Sequence, residues 1–243
     1  MANLEADHVE LIERRSATCP VILTCEHASE RMPDPFRLPA EDAWLAGTHW
    51  AYDLGAAELT RELAAELGVG AVLSRFSRLL IDPNRSDTAP DLFRKLAEGR
   101  PVALNQHIGD AERERRFALS HAYHATIDRA LATDPARLVL SIHSFTPVYE
   151  GTPRAVEIGV LFDEETELAE ALQSAFREAG LVALLNEPYS GKFGLMYSVE
   201  RHAQRHRRRP LELEVRQDLA TAPDARARII RVLGTALPEL LGG

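Results

Sequence analysis

The chain alternates short apolar runs, rich in β-branched residues, with longer segments whose apolar residues recur at helical spacing. A short apolar run can pair as a buried strand, whereas an amphipathic helix must bury one stripe against a neighbouring layer. This alternation is typical of a layered α/β domain, and it does not amount to two copies of one repeat. We therefore predict an α/β fold in which helices pack on a central sheet.

The predicted elements follow from these periods. The predicted strands are residues 20–25, 71–73, 79–81, 137–143, 156–162, 181–185 and 211–215. The predicted helices are residues 50–67, which stop at Gly68, then 110–133, 164–179 and a closing helix from about residue 224. The Pro- and Asp-rich stretches 33–39 and 82–91 are predicted loops, because apolar runs resume within a few residues. Residues 1–243 are therefore predicted to form one domain.

Charge and hydropathy exclude several classes of protein. The 243 residues carry 28 basic and 37 acidic side chains, a formal net charge of −9, which repels nucleic acid and anionic lipid. No 18-residue window is uninterruptedly apolar, so no membrane span is predicted. Residues 1–15 lack the basic head and apolar stretch of a secretory signal, and two cysteines are too few for a disulfide framework. We expect a cytoplasmic protein with a small-molecule partner, whereas nothing in the sequence indicates an oligomeric state.

Several predicted strands end in polar residues, and in open α/β sheets ligands bind beyond the carboxyl ends of strands. The strand at 20–25 leads into His27 and Glu30, and the strand at 137–143 ends in His143. Two imidazoles and one carboxylate are the ligands of an open catalytic zinc site. Each histidine alone is more often a hydrogen-bonded structural residue, but two at one sheet edge with nearby carboxylates favour a metal site.

Asp53 is a rival third ligand. His49 and Asp53 are spaced i, i+4 at the start of a predicted helix and so face the same side. The alternative is an ordinary first-turn contact, in which Asp53 interacts favourably with the positive end of the helix.

Other polar side chains suggest catalytic and anchoring roles. Glu214 interrupts an apolar strand, and a glutamate beside a metal-activated water is the usual general base and acid of metallohydrolases. Arg85, after Asn84, has a planar fork suited to a carboxylate, and Arg78 could polarise a carbonyl. Taken singly, Glu214 is equally compatible with an exposed position on an edge strand, and each arginine is more often a surface residue.

An ordered set of words between about residues 20 and 220 resembles the N-formylglutamate amidohydrolase family, especially its shorter members. The set signals the family rather than one substrate. The words are CEHAS at 25–29, HWAYDLGA at 49–56, SRLLIDPNR at 77–85, IHSFTP at 142–147, EIGVL at 157–161, NEPYS at 186–190 and LEVRQD at 213–218.

The family in turn resembles the zinc carboxypeptidases, whose motifs occur here in the same order. The resemblance implies a three-layer α/β/α fold with a mixed central sheet, similar to zinc exopeptidases. It implies zinc or another divalent metal held by His27 and His143, and Glu214 as general base and then acid. Arg85 with Asn84 would anchor a substrate carboxylate. Shorter members commonly carry Asn at the place of Glu30, so Glu30 and Asp53 both remain candidates for the third ligand, with Glu26 a weaker one.

The resulting hypothesis is a metal-dependent amidohydrolase that removes a small acyl group, formyl first, from an N-acylated acidic amino acid. Arg78 would stabilise the developing oxyanion. Ser144 and Tyr189 are further substrate-binding candidates. The alternative interpretation of the loop that contains Tyr189 is a plain surface turn. The alternatives are a carboxypeptidase-like peptidase and a non-catalytic binder of acidic amino-acid derivatives. A pure binder would have no chemical need for the metal ligands together with Glu214.

Overall fold

The computed structural model describes residues 7–16, 18–149 and 151–242. Residues 1–6 of the stretch predicted to lack the features of a secretory signal lie outside the described residues. Seven strands form one sheet in the order β1-β3-β2-β6-β11-β9-β10, and four short strands form the hairpins β4–β5 and β7–β8. The strands are β1 (Val9–Ile12), β2 (Val21–Cys25), β3 (Gly70–Ser74), β4 (Leu96–Ala97), β5 (Arg100–Pro101), β6 (Leu138–Phe145), β7 (Val148–Tyr149), β8 (Thr152–Pro153), β9 (Ile158–Leu161), β10 (Ala183–Leu185) and β11 (Arg209–Arg216).

Helices cover both faces of this sheet. They are α1 (Ala56–Leu67), α2 (Asp110–Thr133), α3 (Thr166–Glu178), α4 (Tyr197–His206), α5 (Gln217–Thr221) and α6 (Pro223–Leu241), with 3-10 turns at Ala40–Leu45, Ala103–Asn105 and Gly191–Phe193. Successive strand residues point to opposite faces. In β2, Val21 and Leu23 pack with α1, α3 and α6, whereas Ile22 packs with α2 and α4. The predicted three-layer α/β/α fold is confirmed.

The sheet is mixed, as predicted, and its pairing places four carboxyl ends together. Strands β3, β2, β6 and β11 run parallel, whereas β1 and β9 are antiparallel to their neighbours β3 and β11. The register of β11 with β6 sets Glu214 beside His143. Side chains at the ends of these parallel strands therefore share one edge of the sheet.

One predicted strand is a turn, and one predicted helix begins later than predicted. Residues 79–81 are buried but form a turn rather than a strand, because the Leu80 amide donates to the Ser77 carbonyl and the Asp82 amide to the Leu92 carbonyl. The predicted helix at 50–67 begins only at Ala56. Its first six residues are held in turns, since the Asp53 amide donates to the carbonyl of His27 at 2.9 Å.

Besides α5 and the two short hairpins, strand β1 and helix α4 were not predicted. Strand β1 pairs with β3 at the sheet edge, and α4 carries the polar sequence YSVERHAQRH. The sequence of α4 offers few apolar residues, although Val199 and Ala203 are buried one turn apart. No helix among the described residues is both long enough and apolar enough to span a membrane.

Gly159 in β9 lies where a side chain would collide with the neighbouring backbone. A Cβ there would lie 2.1 Å from the Glu187 carbonyl oxygen and 3.2 Å from the Glu214 Cβ. We expect Gly159→Ala to lower the free energy of unfolding by about 1–3 kcal/mol, because the backbone must shift to relieve the overlap. Urea denaturation measures this change.

Gly109 supplies the matched control. It precedes α2 with φ −74°, and a Cβ there meets no heavy atom within 4 Å. Gly109→Ala should change the free energy of unfolding by less than about 1 kcal/mol. Equal urea midpoints for the two variants would contradict the prediction for Gly159.

Candidate active site

Buried polar side chains converge at the carboxyl edge of the parallel strands. Strand β2 leads into Glu26 and His27, β6 carries His143, and β11 carries Glu212 and Glu214, all of them at most 6% exposed. Strand alternation explains the grouping, because Leu211 and Leu213 pack in the core on the opposite face. The chain therefore concentrates charge in a place where a purely structural sheet would bury apolar side chains.

His27, Asp53 and His143 form a compact set of potential metal ligands, with one donor atom from each lying within 4.8 Å of the others. The Asp53 Oδ2 is 2.9 Å from His143 Nδ1 and 3.4 Å from His27 Nδ1. Both imidazoles thus direct the same ring nitrogen toward one carboxylate oxygen.

A short turn places Asp53 between the histidines. Its backbone amide donates to His27, and its Oδ2 accepts the Ser144 amide at 3.2 Å. Gly55 then turns the chain into α1 with φ 80°, and a Cβ there would lie 2.5 Å from the Ala220 carbonyl carbon. This turn needs glycine both for its backbone angle and for the close approach to α5.

Carboxylates face the other ring nitrogens. His27 Nε2 lies 2.7 Å from Asp82 Oδ1, and His143 Nε2 lies 3.2 Å from Glu26 Oε2 and 3.6 Å from Glu212 Oε2. Metal-binding histidines in proteins almost always present the second nitrogen to a carboxylate, carbonyl or water, which fixes the ring and its tautomer. His27 has this hydrogen bond, whereas His143 Nε2 lies beside two carboxylates without a hydrogen bond to either.

The donor set fits a zinc ion. Zinc bonds of 2.0–2.2 Å in a tetrahedral arrangement separate the ligand atoms by about 3.3 Å. The distances of 2.9 and 3.4 Å from Asp53 Oδ2 to the two imidazole nitrogens are close to that separation. Three protein ligands would leave one position for water or substrate, as in catalytic zinc sites.

The buried charges in this cluster depend on one another. Burial alone would lower the pKa of His143, but Glu212, Asp53 and Glu26 raise it well above its ordinary value. Burial alone would raise the pKa of Glu26, but His143 and the hydroxyl of Ser141 lower it below its ordinary value. Glu26 also accepts a hydrogen bond from the Tyr123 hydroxyl at 3.1 Å, so it is held as a carboxylate behind His143.

The pKa values of Glu212 and Glu214 shift in the opposite direction to that of Glu26. Burial raises the pKa of Glu212 to about 7 and that of Glu214 well above its ordinary value. Glu212 faces His143 Nε2 and lies 3.5 Å from the Asn84 amide nitrogen, whereas Glu214 Oε2 is buried with no hydrogen-bond partner among the described residues. Glu214 is therefore the carboxyl group left free to act.

These residues border one cavity of about 250 Å³. Its wall contains the three candidate metal ligands, Glu212 and Glu214, together with arginine and aromatic side chains. That volume accommodates a small amino-acid derivative.

Of the sequence-predicted anchoring residues, Arg78, Asn84 and Arg85 all border the cavity. Arg78 bridges two carboxylates, Asp82 at 2.6 Å and Asp53 at 3.4 Å. Asn84 donates to the Leu195 carbonyl and accepts the Ser198 amide, so its side chain ties the loop to α4. The guanidinium of Arg85 donates to Asp91 and to the Asn84 carbonyl.

Ser144 and Tyr189 also border the cavity. The Ser144 hydroxyl donates to the Leu54 carbonyl at 2.8 Å, which secures the turn that carries Asp53. Tyr189 is 37% exposed at the rim, with its hydroxyl 3.5 Å from the guanidinium of Arg154.

The structure does not bring Glu30 to the cluster. Its side chain is exposed, and its Oε2 accepts the amide of Gly47 at 2.6 Å. Of the two carboxylates that the sequence left open, Asp53 is the one grouped with the histidines.

Sequence reasoning assigned no role to Glu212, Asp82 or Arg94. Glu212 was detectable, because LELEV places two glutamates at i, i+2 and so on one face of a strand. Asp82 and Arg94 approach the site from loops, for which periodicity gives no direction.

The fold and this site define a three-layer α/β/α protein with a candidate metal centre. The family model of N-formylglutamate amidohydrolase matches residues 19–221, and the chain belongs to that family of hydrolases. No curated protein matches the chain in sequence.

Two solved structures are similar over nearly the whole chain. Gene product Atu2144 from Agrobacterium tumefaciens is 29% identical, with a TM-score of 0.89, and the match covers 99% of this chain and 97% of that one. The N-formylglutamate amidohydrolase from Ralstonia eutropha JMP134 is 20% identical, with a TM-score of 0.74 and coverage of 96% and 97%. At that identity, the second likeness shows the fold alone.

Proposed function

We propose that this protein is a metal-dependent amidohydrolase that cleaves the amide of an N-acyl amino acid, with N-formyl-L-glutamate as the first substrate to test. The observation that carries the proposal is the His27, Asp53 and His143 cluster with the unpartnered carboxyl of Glu214 beside the same cavity. Family membership supports amide hydrolysis as the reaction type.

His27, Asp53 and His143 would hold the metal, which we propose to be zinc. A bound zinc ion supplies Lewis acidity toward a carbonyl oxygen and lowers the pKa of water. Asp82, Glu26 and Glu212 would keep the two imidazoles oriented, since they face the Nε2 atoms.

Glu214 would move the proton. Its free Oε2 takes a proton from the water that attacks the amide carbon and delivers it to the departing nitrogen as the carbon–nitrogen bond breaks, which leaves formate and glutamate. Burial raises the pKa of Glu214 above its ordinary value, and a carboxylate with a raised pKa is a stronger base toward water. Arg78, at the cavity wall beside Asp53, would stabilise negative charge on the carbonyl oxygen.

Arg85 would anchor the substrate carboxylate. Asp91 and the Asn84 carbonyl accept from its Nε and Nη1, and its Nη2 has no hydrogen-bond partner among the described residues. Asn84 would position the loop that carries Arg85, because its side chain accepts a hydrogen bond from the start of α4. Tyr189 would cover the substrate from the rim of the cavity.

The test is formate release by the zinc-loaded protein from a panel of N-formyl-L-glutamate, N-formyl-L-glutamine, N-acetyl-L-glutamate and short dipeptides. We expect equimolar formate and glutamate from the first compound, loss of turnover on chelation and recovery on adding zinc back. Absence of hydrolysis across the panel would refute the enzyme assignment. Turnover of dipeptides alone would favour the peptidase alternative.

A further inference from the structure

Arg94 borders the cavity and differs in its charge partners from the two other described arginines there. Of the three arginines that border the cavity, Arg78 pairs with Asp53 and Asp82, and Arg85 pairs with Asp91. Within residues 7–16, 18–149 and 151–242, no carboxylate oxygen lies within the 4.0 Å ion-pair distance of the Arg94 guanidinium. Arg94 therefore has no direct ion-pair partner in these residues, and a bound anion would supply one.

Contacts of both its backbone and its side chain hold Arg94 in place. Its carbonyl accepts the side-chain amide of Asn105 at 2.8 Å, and Asn105 is buried and also donates to Leu79. The guanidinium lies over the indole of Trp50, 5.1 Å from the ring centroid, and His49 stacks on the same indole at 4.6 Å. A guanidinium stacked by its face keeps its N–H edge free for a carboxylate.

The charged groups around Arg94 favour the binding of an anion beside it. Burial and the charge of Arg78 lower the pKa of Arg94, while Asp82 and Asp91 offset this only in part. An arginine stays protonated in proteins, so the cost of this environment falls on the unbound site. An incoming carboxylate would relieve it.

Arg85 and Arg94 border the same cavity, and a ligand with two carboxylates would pair with both guanidinium groups. The Arg85 Nη2 and the Arg94 guanidinium make no hydrogen bond among the described residues. We propose that Arg94 binds the side-chain carboxylate of an acidic N-acyl amino acid while Arg85 holds its α-carboxylate, so that Arg94 selects acidic over neutral substrates. This inference rests on the proposed function and deepens it by assigning a residue that determines specificity for the acidic side chain.

The experiment compares N-formyl-L-glutamate with N-formyl-L-glutamine, which has the same shape without the charge. Arg94→Met should lower kcat/KM for the glutamate substrate by about 10- to 100-fold, chiefly through KM, because a charge-assisted hydrogen bond is lost. It should change kcat/KM for the glutamine substrate by less than about 3-fold. Arg94→Lys keeps the charge and should retain part of the preference.

Lys95 provides the matched control, since it is exposed beside Arg94 and does not border the cavity. Lys95→Met makes the same change in net charge and should leave both substrates unaffected. Equal losses on both substrates in Arg94→Met, or an equal loss in Lys95→Met, would overturn the proposal. If Arg94→Met fails to fold by circular dichroism, Arg94→Gln replaces it with the same expectations.

Calorimetric binding of L-glutamate and L-glutamine separates this inference from the proposed function, because it requires no turnover. Tighter binding of glutamate that is lost in Arg94→Met would support the anion site even if no N-formyl amino acid is hydrolysed. Turnover of formylated amino acids with no glutamate preference in binding or kinetics would leave the proposed function standing and overturn the role of Arg94.

Discussion

Glu214→Gln is expected to lower kcat for N-formyl-L-glutamate by about 10²- to 10⁴-fold while the protein still binds one equivalent of zinc. Glutamine keeps the size of glutamate but cannot take up the proton of the attacking water. Because Glu214 is not among the three grouped metal ligands, the zinc content should not change. Steady-state kinetics and metal analysis of the same preparation measure the two results.

Two comparisons make this result interpretable. Glu170→Gln alters an exposed glutamate on α3 and should leave kcat unchanged. Glu212→Gln alters a carboxyl on the same strand and face as Glu214, but one that faces His143 Nε2, so it should reduce kcat less than Glu214→Gln does. A larger loss in Glu212→Gln, or full activity in Glu214→Gln, would move the general base away from Glu214.

The fold was predictable where periodicity carries the information. The predicted helix at 110–133 agrees with α2 at both ends, and the predicted strand at 20–25 differs from β2 by one residue. The run at 79–81 shows the limit of this reasoning. Its residues are as buried as a central strand, but the hydrogen bonds of Ser77 and Asp82 with more distant backbone turn them away from the sheet.

The site was predictable where functional residues follow strands. His27 follows β2 and His143 lies in the adjacent parallel strand β6, so their sequence positions alone predicted that they share one edge. Asp53 could not be placed in this way, because its position depends on the hydrogen bond from its amide to His27 and on the glycine turn at Gly55. Arg94 depends on a still longer connection, through Asn105, which no local pattern encodes.

Asp53→Asn is expected to weaken zinc binding by at least about 100-fold, and Glu30→Gln to change it by less than about 3-fold. Loss of an outer residue that only orients a ligand already costs 10- to 100-fold in affinity, so loss of a charged ligand should cost at least the upper value. Asparagine preserves the size of Asp53 and can still contact Ser144, which limits the change to the charge and the donor atom.

The pair is informative because the sequence left both carboxylates open as the third ligand, whereas the structure separates them. Asp53 Oδ2 lies 2.9 Å from His143 Nδ1, and Glu30 instead accepts the Gly47 amide at the surface. Zinc titration with a competing chelator gives both affinities.

Thermal unfolding with and without zinc distinguishes ligand loss from misfolding. A protein that binds zinc only when folded gains stability on binding, so zinc should raise the melting temperature of the native protein and of Glu30→Gln. It should leave that of Asp53→Asn nearly unchanged. Retained zinc stabilisation in Asp53→Asn together with its loss in Glu30→Gln would assign the third ligand to Glu30. The loop from His27 to Gly47 would then have to rearrange when the metal binds.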